Sequence, residues 1–123
     1  RAASGQLAGG LELAWHEPAN IPPETVAAYT ITTQVDGWDE AFWQFLVASH
    51  APNLVEQLDQ IALPTLVISG DDDRIVPLAD SLRLGEEIVG AETAVLSNCG
   101  HLPQEECPAA FMETVTSFVE QLP

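Results

Sequence analysis

Lysine is absent from these 123 residues, and the only basic side chains are Arg1, Arg74 and Arg83, set against 19 acidic residues for a formal net charge of −16. So acidic a surface repels phosphate backbones and anionic membranes, which argues against nucleic acid as a partner. No apolar run approaches the roughly 20 residues that cross a bilayer, and the start has no basic stretch leading into an apolar one. A soluble chain with no membrane partner is expected. Cysteine is scarce as well: Cys99 and Cys107 are too few for a disulfide scaffold and wrongly spaced for a zinc site. They read as free thiols, and a reducing compartment, the cytoplasm, follows from that. Methionine occurs once, at Met112, and the chain opens on Arg1, so an excerpt of a longer protein is expected. The length allows one ordinary domain and excludes two large ones.

Two regions differ in character. Residues 1–52 hold all three tryptophans and two of the three histidines, with helical patterns broken by Pro18, Pro22, Pro23, Gly37 and Pro52. Pro22 and Pro23 ahead of Glu24–Tyr29 suit a helix start, since proline fits the first turn and an acidic side chain favours its positive end. From Trp38 to Ser49, Trp38, Ala41, Phe42, Phe45, Leu46 and Ser49 recur at intervals of three and four, giving a helix with one apolar face. Between them, Tyr29, Ile31, Thr33 and Val35 alternate with more polar neighbours and predict a strand.

Residues 53–123 are more regular. Asn53 and Glu56 have helix-cap spacing, with a helix running to about Gln60. Leu63–Gly70 is a short β-branched apolar run with proline near its entrance and glycine at its exit, which reads as a parallel strand buried on both faces. A helix over Leu78–Val89, ended by Gly90, and a second strand over Glu92–Leu96 follow. Beyond Pro103 and Pro108, the positions Phe111, Met112, Val115, Phe118, Val119 and Leu122 mark an amphipathic closing helix. Strand, helix, strand is a parallel unit with a right-handed crossover. Two such strands cannot bury themselves, so more sheet is expected from elsewhere.

Asp73 falls just past the end of the first strand and His101 just past the end of the second. That rim is where functional side chains gather in open parallel sheets. Neighbouring strands lie about 4.8 Å apart, so a carboxylate on one loop can meet an imidazole on the other. An aspartate bonded to one ring nitrogen fixes the tautomer and leaves the other nitrogen as a general base. The same residues also fit plainer roles: Asp71–Asp73 as a solvated turn, Gly100–His101 as a tight loop with a structural imidazole. Their spacing matches neither a calcium loop nor a zinc site. His16 and His50 have no partner at a recognisable spacing and read as surface or packing residues. Cys99, beside the histidine loop, reads as a small buried hydrophobe rather than a nucleophile.

The run Leu63-Pro64-Thr65-Leu66-Val67-Ile68-Ser69-Gly70-Asp71-Asp72-Asp73-Arg74-Ile75-Val76-Pro77 resembles the penultimate strand and acid loop of the α/β-hydrolase family. In that family the acid precedes a short apolar pair and a proline, which singles out Asp73. Asn98-Cys99-Gly100-His101, followed by Pro103, Glu105 and Glu106, resembles its histidine loop, and Pro108–Leu122 its closing helix. Gly37-Trp38-Asp39-Glu40-Ala41-Phe42-Trp43 is similar to the helical lid inserted ahead of these strands. The resemblance implies a partial α/β-hydrolase fold: a lid segment over residues 1–52, then the C-terminal part of the core over 53–123. It implies Asp73 and His101 as the acid and base of a triad, and Trp38, Phe42, Trp43 and Phe45 as candidates for the substrate pocket, although an aromatic stripe is also ordinary lid packing.

The nucleophile of that family sits in a G-x-S-x-G turn between strand and helix. No such pattern occurs here, and Ala3-Ser4-Gly5-Gln6 lacks the preceding strand. The expected partners are therefore a small-molecule substrate and the missing N-terminal half of the same fold, with no cofactor or metal. Ester, thioester or carbon–carbon bond hydrolysis all fit, and an aspartate nucleophile is a close variant. The competing expectation is a catalytically silent binding or oligomerisation module, held together through its exposed strand edges.

Overall fold

The computed structural model describes residues 9–49 and 54–122. A helical stretch over 9–14 leads through Trp15 to a 3₁₀ turn at Pro18–Asn20, then to α1 (Pro23–Ile31), a 3₁₀ turn at Thr32–Gln34 and α2 (Trp38–Ala48). A longer 3₁₀ segment, Val55–Gln60, precedes β1 (Leu66–Gly70). After it come α3 (Leu78–Glu87), β2 (Glu92–Leu96), α4 (Pro103–Glu106) and α5 (Pro108–Glu120). The strands are parallel neighbours, in register from Leu66 opposite Glu92 to Gly70 opposite Leu96.

Both strands lie where their apolar β-branched runs put them. Strand β1 buries Val67, Ser69 and Gly70, and β2 buries Leu96 at its exit. The crossover helix α3 comes so close to β2 at Gly85 that an added Cβ there would strike the Thr93 hydroxyl. Prolines open α1, α4 and α5 at their first turns, where the missing N–H costs nothing.

The strand expected over Tyr29–Val35 is not formed: α1 continues to Ile31 and tightens into the 3₁₀ turn. Threonine hydroxyls explain why the alternation misleads. Thr30 donates to the Val26 carbonyl at 2.8 Å, Thr32 to Tyr29 at 3.2 Å and Thr33 to Thr30 at 2.7 Å. These bonds reach back three or four residues, as helical geometry permits and extended backbone does not. The helix expected before β1 is instead 3₁₀, and the capping position at Asn53, like His50 and the Ala3–Gln6 run, lies outside the described residues.

The buried apolar side chains fall in two places. Leu11, Ala14 and Trp15 form one cluster, against which Ile21, Val26 and Leu102 pack. Val67, Ile88, Leu96 and Cys99 surround the strands. Helices α1 and α2 bury none of their residues, so the apolar stripe of α2 faces outward. Among the described residues no helix is long and apolar enough to cross a membrane.

Candidate active site

Beyond the carboxyl ends of the two strands, three consecutive aspartates take three different tasks. Asp71 Oδ1 accepts from the backbone amides of Asn98, at 2.8 Å, and Cys99, at 3.4 Å, tying the loop after β1 to the loop after β2. Asp72 Oδ2 lies 2.8 Å from His16 Nδ1 and also accepts from the Arg74 guanidinium. Asp73 Oδ2 lies 2.9 Å from His101 Nδ1, while its Oδ1 caps the amides of Ile75, at 2.9 Å, and Val76, at 2.8 Å.

Burial sets the Asp73 carboxylate apart. Its side chain is 6% exposed and that of its partner His101 is 34% exposed. Burial by itself raises the Asp73 pKa, but the bonds from His101 and from the Val76 and Ile75 amides outweigh it and hold the group below its ordinary value of 3.8. Asp72 is lowered too, chiefly by Arg74 and then by His16. A neutral His101 that donates from Nδ1 to Asp73 carries its lone pair on Nε2.

The loop that carries His101 is shaped by close approach and by one unusual turn residue. Asn98 has a φ of 57°, a left-handed conformation that asparagine tolerates better than most residues. Beneath the loop runs Gly70, where a Cβ would collide with the carbonyl oxygens of Cys99 and Gly100. Cys99, only 1% exposed, is bonded to Cys107 in a disulfide whose Cα atoms are 6.2 Å apart. The expectation of free thiols is thereby corrected, and the step from thiols to a cytoplasmic setting loses its ground. Cys99 does fill a fully buried position, as its neighbourhood implied.

His16 is also not the unpartnered residue its spacing implied, since it pairs with Asp72 across 56 positions. Around it the segment 14–17 is laced to the site. The His101 amide donates to the Ala14 carbonyl at 2.6 Å, Arg74 donates to the His16 carbonyl at 3.2 Å, and Glu106 accepts from the His16 and Glu17 amides.

His101 opens onto a cavity of about 260 Å³, otherwise lined by Gly10, Leu11, Ala14, Tyr29, Ile75 and Leu102. Tyr29 also lines a second hollow of about 370 Å³, with Ala28, Thr32 and Phe42. Its hydroxyl donates to Glu105 at 2.8 Å, and partial burial, reinforced by that carboxylate, raises its pKa above the usual 10. Of the four aromatic residues expected around a substrate, Phe42 reaches the second hollow. Trp38 stacks at a tilt on Phe42 with ring centroids 5.9 Å apart. Trp43 and Phe45 are more than 60% exposed and line neither space. The apolar walls from residues 10–14, and Tyr29 itself, escaped sequence reasoning because nothing local marks them. A third hollow, about 340 Å³ between Leu66, Glu92 and Ser117, lies at the other ends of the strands, away from His101. Among the described residues no group of three histidine, cysteine or acidic side chains is arranged to hold a metal ion.

No family model matches the chain. It is 44% identical over 63 residues to a 2-hydroxy-6-oxononadienedioate/2-hydroxy-6-oxononatrienedioate hydrolase of Paraburkholderia xenovorans, covering 51% of this chain and 22% of that protein. It is 28% identical over 113 residues to an epoxide hydrolase of Mycobacterium tuberculosis, covering 85% of this chain and 50% of that protein. Among solved structures, a meta-cleavage product hydrolase of Pseudomonas fluorescens superposes with a TM-score of 0.76 at 26% identity, over 96% of this chain and 46% of the other. Parallel strands, acid and histidine loops and these likenesses together define the α/β-hydrolase fold as the class. Within it, the chain is similar to members of the α/β-hydrolase family and matches their C-terminal portion, spanning between a fifth and a half of the length of these relatives.

Proposed function

We propose that this chain supplies the acid and the general base of a hydrolase acting on small molecules, with the nucleophile contributed by residues outside it. The observation that carries this reading is the 2.9 Å contact between His101 Nδ1 and a nearly buried Asp73 carboxylate, with His101 lining an apolar cavity. In the proposed reaction the nucleophile attacks an electrophilic carbon as its proton passes to Nε2. The imidazolium so formed is stabilised by Asp73, and it then returns the proton to the leaving group. Ester, thioester and carbon–carbon bond cleavage share that proton path, and an aspartate nucleophile would use the same histidine to activate water.

In this reading the N-terminal half of the fold adds the nucleophile, the oxyanion donors and the neighbouring strands. Residues 1–52 act as the lid, with Tyr29, Trp38 and Phe42 walling the acyl or leaving-group side, and Trp43 and Phe45 available to whatever packs on the exposed face of α2. A silent binding module has no use for a carboxylate that orients an imidazole toward an apolar space, which favours the enzymatic reading. Hydrolysis of a short-chain aryl ester by the full-length protein and by His101→Ala tests it. A loss of roughly 1,000-fold or more in kcat/KM is expected, and equal rates would remove His101 from the mechanism.

A further inference from the structure

Four consecutive backbone amides lead from β2 into His101, and none of them has a strand ladder to bond to. Asp71 Oδ1 takes those of Asn98 and Cys99, the Ala14 carbonyl takes that of His101, and Glu106 Oε2 takes that of Gly100 at 2.7 Å. The same Glu106 carboxylate accepts from the amides of His16, at 3.0 Å, and Glu17, at 2.9 Å. One half-buried side chain thus joins the histidine loop to the segment whose Ala14 carbonyl holds the His101 amide.

We propose that Glu106 is a positioning residue for His101: it fixes the loop, and with it the direction of the imidazole, by binding the Gly100, His16 and Glu17 amides at once. The inference rests on the reading of His101 as the general base. Three features favour orientation over mere cohesion. A carboxylate binds amides more strongly than a neutral acceptor does. Gly100 has no room for a Cβ beneath the Ala14 carbonyl, so the loop fits in one placement. Glu106 is also anchored from its other side, because the next residue, Cys107, is bonded to Cys99 in the histidine loop. Misplacement of a catalytic group by an ångström lowers turnover without a matching loss of substrate binding.

The test compares Glu106→Ala, Glu106→Gln and His16→Gln in the full-length protein. His16→Gln cuts the pair with Asp72 but leaves the amides on Glu106. The readouts are kcat and KM on an aryl ester and the downfield proton signal of His101 Nδ1–H. Glu106→Ala is expected to lower kcat by about 10- to 100-fold with KM within about threefold, and to broaden that signal. Glu106→Gln, which keeps one acceptor oxygen, should lose about three- to fivefold, and His16→Gln less than about threefold. Should Glu106→Ala fail to fold, Glu106→Gln decides: a fall in kcat at constant KM supports the proposal, and an unchanged kcat overturns it. Equal losses in Glu106→Gln and His16→Gln would also overturn it, because general loosening of the segment would then account for both. If the unmutated protein hydrolyses no ester, the hydrolase reading fails on its own. The proton signal still judges the clamp, which stands if the signal broadens in the Glu106 variants and falls if it does not.

Discussion

Residues 9–26 and the helix α2 came from one apolar, tryptophan-rich stretch of sequence, yet they behave oppositely. Trp15 is 4% exposed and centres a core cluster with Leu11 and Ala14, whereas Trp43 is 61% exposed on a helix that buries nothing. The difference lies in backbone anchoring rather than hydrophobicity. Segment 14–17 is held by His101, Arg74 and Asp72, from the loops at the strand ends, and by Glu106 at the end of α4, while among the described residues α2 packs chiefly on the 3₁₀ turn before it. Segment 14–17 is therefore packed into the candidate site, and α2 is left available.

Trp15→Ala should break that comparison most severely, costing about 3–5 kcal/mol by leaving a cavity under the histidine loop, as read from denaturant unfolding. Reducing the Cys99–Cys107 bond, which closes a short loop beside the same cluster, should cost about 2–3 kcal/mol by the chain-entropy relation, and a melting experiment with and without reductant measures it. The pH dependence is smaller and has a defined sign. The folded pKa of Asp73 lies below its unfolded value of 3.8, so its contribution is complete above that value and is lost as pH falls through the folded one. Unfolding free energies between pH 6 and 3 should accordingly fall more steeply for the unmutated protein than for Asp73→Asn. Parallel curves would mean that the carboxylate gains nothing from His101. At the low end, Trp43→Ala should change stability by no more than about 0.5 kcal/mol. A loss comparable to that of Trp15 would show α2 to be covered in solution.

Local signals made most of residues 54–122 legible. Strand β2 was readable to the residue and β1 lay within its apolar run, because short β-branched stretches bounded by proline and glycine have few other uses. Loops leaving neighbouring strand ends made an aspartate–histidine contact legible, and the resemblance to the α/β-hydrolase family singled out Asp73 among the three aspartates. What stayed hidden was non-local or stereochemical. His16 and Glu106 join partners 56 and 90 positions away, beyond any spacing argument. The pairing of Cys99 with Cys107, eight positions apart, carries no mark in the sequence spacing. At Tyr29–Val35 an alternating pattern was overridden by threonine hydroxyls that satisfy helical carbonyls as readily as β-branching favours a strand.

Kinetics of the full-length protein on an aryl ester, with each of the three adjacent aspartates changed singly to asparagine, probes the central claim most directly. If Asp73 alone orients the base, Asp73→Asn should lose roughly 100- to 10,000-fold in kcat/KM. Asp71→Asn and Asp72→Asn, whose partners are backbone amides and the His16–Arg74 pair, should stay within about tenfold of the unmutated protein. Comparable rates for all three variants would contradict the account.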